Sequence, residues 1–234
     1  WGLPISEETV QKVRRGQWYW EVGMVEDQMA EAERIRDYGM YVAYSNWAYI
    51  KNHASFRDEY ANSYLGWMAH VAGKRESRRL VGEFVLREQD LTDFVVYPDG
   101  CVSTSWYIDN HEPDPENSKH FREPFLSRGC LRPIPYRCFY SKDLDNLFMA
   151  GRNISVSHIA LGTTRVMRTT AMMGEVVGLA ARVCLREGLL PRDIYEKAFD
   201  KLRELMGKGA GRTDVPYLQV YTLIDTTAAR SEEC

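Results

Sequence analysis

The sequence predicts a mixed α/β chain, α+β within the stretch given, and three observations carry that expectation. Apolar residues recur at three- and four-residue steps through the first third. Short extended runs punctuated by turn residues fill the middle. A short apolar run, a Gly-Arg turn and a long helix faced with small residues then follow between Asn146 and Ala181. The 234 residues are 44% hydrophobic and 27% charged, enough for one large core or a core with a small annex.

Taken in order, Pro4 and Ser6-Glu7-Glu8 suggest an entry turn and the N-cap of a short helix. Val25, Met29, Ala32, Ile35, Tyr38 and Val42 keep helical spacing, which predicts a helix from Val25 to about His53. A second helix is expected over Asp58–Ala72, with Tyr60, Tyr64, Trp67 and Met68 near one side. The aromatic residues of this third (Trp1, Trp18, Tyr19, Trp20, Tyr41, Tyr44, Trp47, Tyr49) are expected mainly in a core. Arg79–Leu86 and Asp93–Tyr97 read as strands. Pro98-Asp99-Gly100 is a turn, and Cys101–Ile108 is its expected hairpin partner.

The polar stretch Asp109–Pro124, with three prolines, is a loop of the length that often closes over a binding site, and His111 lies on it. Leu131–Tyr140 returns extended, with Pro133 and Pro135 keeping it off a central strand position. Leu147–Ala150 reads as a short buried strand. A long helix is expected from about Thr164 to Glu187, stopped by Gly188. Pro191 opens the last helix, and Gly207 and Gly209 end it.

The net charge of -3 gives no pointer to nucleic acid, and the basic run Lys74–Arg79 is interrupted by Glu76. Five widely spaced cysteines form no CxxC pair and no close Cys/His set, so no metal or locally ligated iron-sulfur site is expected. No apolar run approaches the roughly 18 residues of a membrane span. The compartment is left open.

The stretch around residue 150 carries the chemistry. Ala171, Gly174, Gly178 and Ala181 share a helix face. A glycine inside a helix costs about 1 kcal/mol relative to alanine, and close helix–sheet packing is a sufficient reason for these. Gly162-Thr163-Thr164 precedes the expected helix, and either threonine could cap it. A helix start presents unpaired N–H groups and a partial positive charge, which suits a phosphate or a cofactor edge that becomes anionic on reduction; the helix end alone does not choose between them. Arg165 in the first turn would oppose the dipole and is easier to explain beside an anion. Gly151 permits close backbone approach, Arg152 can pair with a pyrophosphate, and Asn153, Ser155, Ser157 and His158 add hydrogen-bonding groups.

The segment NLFMAGRNISVSHIALGTTRVMRTTAMMGEVVGLAA resembles the C-terminal part of FAD-dependent oxidoreductases of the glutathione-reductase-like fold. The nearest likeness is to a bacterial group loosely related to the flavoprotein subunit of heterodisulfide reductase. WGLPISEE, KRESRRLVG, WYIDNHEP and IPYRCFYSKDLDNLFMAGR fit the same group in the same order, covering roughly Trp1 to Gly209. The resemblance implies FAD as cofactor and a chain divided into a substrate-domain portion over 1–140, the C-terminal part of an FAD/NAD(P)-binding Rossmann-like domain over 141–209 and a trailing segment over 210–234. It places Gly151 and Arg152 toward the ribityl and pyrophosphate part, and Gly162, Thr163, Thr164, Arg165 and Val166 along the isoalloxazine, with Asn153 and Ser155 as further candidates to bind the cofactor. His158, Arg75, Arg78, Tyr136 and Arg137 become candidates for the substrate side.

The family's GxGxxG unit for the ADP moiety is missing from the sequence; the Gly207–Gly211 cluster follows a helix and does not replace it. The expectation is therefore a C-terminal fragment of an FAD enzyme passing hydride between flavin and a small organic substrate. One alternative is a non-catalytic remnant or split subunit that associates through an exposed sheet edge with a partner carrying the missing half. The other is an α+β carbohydrate-binding module.

Overall fold

A computed structural model describes residues 3–13, 27–74, 76, 78–110 and 131–208. The described residues up to 76 belong to one compact unit, and 78–110 with 131–208 belong to a second. The second unit begins at Arg78, and the β-rich stretch 78–110 joins it because its strand pairs with residues 132–135 and packs on the long C-terminal helix. Among the described residues no helix is long and apolar enough to cross a membrane.

In the first unit, α1 spans Ala32–Asn52. It starts later than expected because the Asp27 carboxylate accepts the N–H groups of Met29 (2.9 Å) and Ala30 (3.1 Å), holding a turn there. Its buried positions are Ile35, Ser45, Asn46 and Ile50, while Met29 and Tyr38 are exposed. Ser45 and Asn46 are polar because they hold the opening segment. The Leu3 N–H donates to Ser45 Oγ at 2.9 Å, and Asn46 and Gln11 exchange two hydrogen bonds of 2.8 and 2.9 Å. The helix expected after Pro4 is a single turn, with Val10 N–H donating to the Ser6 carbonyl at 2.8 Å.

The second expected helix does not form: only a 3-10 turn, Arg57–Tyr60, is present. Lys51 Nζ donates to the carbonyls of Tyr60, Ala61 and Ser63 at 2.8, 3.1 and 3.0 Å, taking the acceptors that a continuing helix would use. Tyr64 and Trp67 are consequently 85% and 75% exposed. Tyr41 and Tyr44 are exposed too, against the expectation of an aromatic core, while Trp47 packs edge-on to Tyr60. Trp1, Trp18, Tyr19 and Trp20 lie outside the described residues.

In the second unit, β1 (Gly100–Thr104) pairs antiparallel with β2 (Arg132–Pro135). The expected Pro98–Gly100 turn forms, closed by Gly100 N–H on the Tyr97 carbonyl at 2.9 Å. The expected hairpin does not, because Glu88–Thr92 winds into α2, fixed by the Arg87 N–H donating to Asp90 at 2.7 Å. Pro133 and Pro135 sit opposite Ser103 and Gly100, in a two-stranded sheet with no central strand. Arg79–Leu86 is extended but pairs only through single bridges, Gly82 with Ser141 and Leu86 with Val156. Gly82 is squeezed on the way: a Cβ there would lie 2.8 Å from the Arg137 carbonyl and 2.9 Å from that of Tyr140. Leu147–Ala150 is reduced to one bridge, Tyr140 with Phe148, and only Met149 of the four is buried.

Four helices complete this unit: α3 (His158–Thr164), α4 (Met167–Glu187), α5 (Pro191–Lys197) and α6 (Phe199–Lys208). The single helix expected from Thr164 is therefore broken in two, with Val166 extended at the joint. Gly188 ends α4 at φ +66°, the left-handed conformation that glycine adopts without strain, and Pro191 opens α5 as expected. The buried face of α4 is Thr169, Met172, Met173, Val176, Ala180 and Val183, set against β1, α5 and α6. The small-residue face is not the packed one, since Ala171, Gly174 and Gly178 are exposed. Cys101 and Cys138 are buried in the core, and burial pushes both thiols well above the usual cysteine range.

Candidate functional site

The joint between α3 and α4 is built from the chain upward. Ser157 caps α3, its Oγ accepting the Ala160 N–H at 3.2 Å, and its own N–H is tied to the Leu86 carbonyl at 2.8 Å. The helix then buries Gly162, Thr163 and Thr164 together. Residues 104–110 lie along that buried end. Thr104 Oγ1 donates to the Thr163 carbonyl at 2.8 Å, and Thr163 Oγ1 donates to the Trp106 carbonyl at 2.6 Å. A Cβ on Gly162 would stand 2.6 Å from Asn110 Oδ1 and 3.0 Å from the Asp109 nitrogen. The close approach that Gly162 permits is therefore to the chain itself, and Thr163 is likewise closed by 104–106.

Arg165 is the C-cap of α3, where a cation complements the negative end of a helix, instead of opposing a dipole in a first turn. Its Nη2 donates to the Asp109 carbonyl at 3.0 Å and to Asp109 Oδ2 at 3.2 Å, with the two side chains 17% and 15% exposed. Val166 follows as the N-cap of α4, and no side chain caps that 21-residue helix. Thr164 Oγ1 is buried and has no hydrogen-bond partner among the described residues. An uncapped helix start, an unmatched buried hydroxyl and a guanidinium thus occupy consecutive positions. This donor set fits the edge of a cofactor that gains negative charge.

The glycine turn stands apart in character. Gly151 adopts φ +103°, a conformation that disfavours any other residue there. Arg152 and Asn153 are exposed beyond it, and the Asn153 carbonyl accepts the Leu80 N–H at 2.9 Å. Ser155 is buried with its Oγ unmatched among the described residues, and its backbone is engaged by Cys138 and Leu86.

The described residues expected on the substrate side have different surroundings. Tyr136 is fully buried, and its hydroxyl donates to the Pro191 carbonyl at 2.8 Å, anchoring α5. Burial pushes that phenol well above the usual tyrosine range. Arg137 pairs with Asp99 through Nε (2.9 Å) and Nη2 (3.1 Å), and its guanidinium lies among the rings of Phe84, Tyr97 and Tyr195 at 5.1, 5.7 and 4.9 Å. Both residues serve the core. Arg78 and His158 are exposed, His158 as the first residue of α3. Arg75 and His111 lie outside the described residues. Asp109 is the residue that sequence reasoning passed over. It stood at the edge of a polar loop, and nothing in its spacing marked it as the partner of Arg165, 56 positions away.

The described residues form a mixed helix-and-strand chain. The family model described as FAD dependent oxidoreductase matches residues 6–206, most of the chain, and the protein belongs to that family. Its cofactor is FAD and its general chemistry is oxidation and reduction. No curated protein and no solved structure matches the chain.

Proposed function

We propose that this chain supplies the flavin-side part of an enzyme that passes hydride between a small organic substrate and FAD. The observation that carries this reading is the start of α4, where Thr164 Oγ1 is buried and unmatched and no side chain caps the helix. When bound, FAD would supply the hydride acceptor and an edge that becomes anionic on reduction. The first N–H groups of α4, the partial positive charge of its N-terminus and the Thr164 hydroxyl would stabilise that edge. Arg152, exposed beyond the Gly151 turn, would pair with the pyrophosphate. His158 and Arg78 are the described candidates for holding a substrate carboxylate or moving its proton. The ADP moiety needs a GxGxxG unit that these 234 residues lack, so another part of the protein or a partner chain holds it.

Titration of the purified chain with FMN and with FAD, followed by flavin fluorescence, tests this. Comparable affinities for the two flavins are expected, since the ADP half-site is elsewhere. Thr164→Val should weaken both by about tenfold, the worth of one charge-assisted hydrogen bond. The reading fails if the protein purified with its full coding region carries no flavin and binds none saturably.

A further inference from the structure

We infer that Thr104, the last residue of β1, is a positioning residue that aims the Thr164 hydroxyl at the flavin by holding the peptide unit in front of it. This rests on the flavin-side reading of Thr164. Thr104, Thr163 and Thr164 are all buried, at 1%, 0% and 0% exposure. The register of the sheet fixes Thr104 opposite Arg132. Its Oγ1 donates to the Thr163 carbonyl at 2.8 Å and lies 3.0 Å from Thr163 Oγ1, which itself donates to the Trp106 carbonyl at 2.6 Å. Main chain and side chain of Thr163 are thus both tied to one short stretch, residues 104–106.

The last carbonyls of a helix have no donor within the helix itself. In the last turn of α3 the Leu161 carbonyl still accepts the Arg165 N–H at 3.1 Å, and the Thr163 carbonyl lies beyond that bond. Thr104 supplies its donor. That carbonyl oxygen belongs to the same planar peptide unit as the nitrogen and Cα of Thr164. Pinning it fixes the plane from which the Thr164 side chain departs, and a β-branched side chain has little freedom left at χ1. Thr164 Oγ1 is the hydroxyl of this row that has no partner among the described residues. β1 also packs against α4, so one strand sets both that helix and the hydroxyl beside its start. Thr104 thereby acts on the flavin through Thr163 and Thr164 without touching it. A residue that merely braced the core would lower stability in any background and leave the flavin spectrum as it was.

The experiment is an FAD titration, followed by flavin absorption and fluorescence, of apoprotein prepared from the protein purified with its full coding region. Thr104→Val should weaken FAD binding by about fivefold and shift the flavin absorption bands, because the Thr164 hydroxyl is turned from its acceptor. Thr104→Ser keeps the donor and should bind as the parent does. In the Thr164→Val background, Thr104→Val should cause no further loss, since the hydroxyl through which it acts is gone. Should Thr104→Val fail to fold, Thr104→Ala carries the same test, because it removes the hydroxyl without setting a methyl against the Thr163 carbonyl. Parent affinity in Thr104→Val, a Thr104→Ser as weak as Thr104→Val, or an equal loss in the Thr164→Val background overturns the role of Thr104 and leaves the flavin reading standing. Parent affinity in Thr164→Val overturns the reading of Thr164 and the role of Thr104 with it, as does a protein that neither carries nor binds flavin.

Discussion

Arg137 and Arg165 each pair with an aspartate, Asp99 and Asp109, but the two pairs differ in what surrounds them. The Arg137 pair is two-pronged, its carboxylate is 1% exposed, and three aromatic rings face the guanidinium. Asp99 also accepts the backbone N–H of Arg137 at 3.2 Å. Its carboxylate, hydrogen-bonded to the guanidinium, raises the Arg137 side chain above its ordinary pKa range. The Arg165 pair is made through Nη2 at a joint between helices, where the same nitrogen also meets the Asp109 carbonyl. The first arrangement locks a core, and the second leaves a charge pair beside a helix start. An arginine and an aspartate in contact are thus not one kind of feature: the neighbours decide whether the pair braces the fold or shapes a field.

Stability measurements offer the hardest test of that contrast. Asp99→Ala strands a guanidinium inside the cage and should cost about 3 kcal/mol or more in urea unfolding. Asp109→Ala, at a partly exposed pair, should cost about 1 kcal/mol. Equal losses would erase the distinction. Gly162→Ala comes next, at about 1–3 kcal/mol, because the added methyl meets Asn110 and the Asp109 backbone.

The smallest effect belongs to a third carboxylate, the partly buried Asp193, which accepts the Leu190 N–H at 2.9 Å and pairs with Lys197. The Lys197 side chain first, and the Leu190 N–H second, hold its carboxyl below the ordinary aspartate value. A depressed folded value means that its contribution is complete above about pH 4, the unfolded value, and is lost as pH falls through the folded one. Stability of the parent and of Asp193→Asn should therefore converge on acidification below that point and separate above it. A constant difference across that range would show that Asp193 acts without its charge.

The C-terminal helices were legible because their punctuation is local: Gly188 and Pro191 act through backbone geometry alone. The opening segment misled because Ser45 and Asn46 are buried as hydrogen-bond partners of Leu3 and Gln11, and polar core positions leave no apolar period. The helix expected after Asp58 failed because a lysine from α1 claimed its carbonyls, a competition between residues 9 to 12 positions apart. At the site, the sequence marked Gly162, Thr163, Thr164 and Arg165 through their place between a glycine and a helix. It did not show that residues 104–110, more than 50 positions earlier, lie beside Thr163 and Gly162. Nor did it show that Tyr136 bonds to Pro191 and Arg137 to Asp99, contacts that only the fold reveals.

The two core thiols, Cys101 and Cys138, give the second unit a clock of its own. Sealed from solvent and held protonated by burial, they should resist alkylating reagents for as long as the unit stays closed. Their labelling rate under native conditions then counts openings of the core directly, with no dye or tag added. Cys184, only partly covered on α4, should react ahead of them and mark the difference between local breathing of one helix and opening of the whole unit.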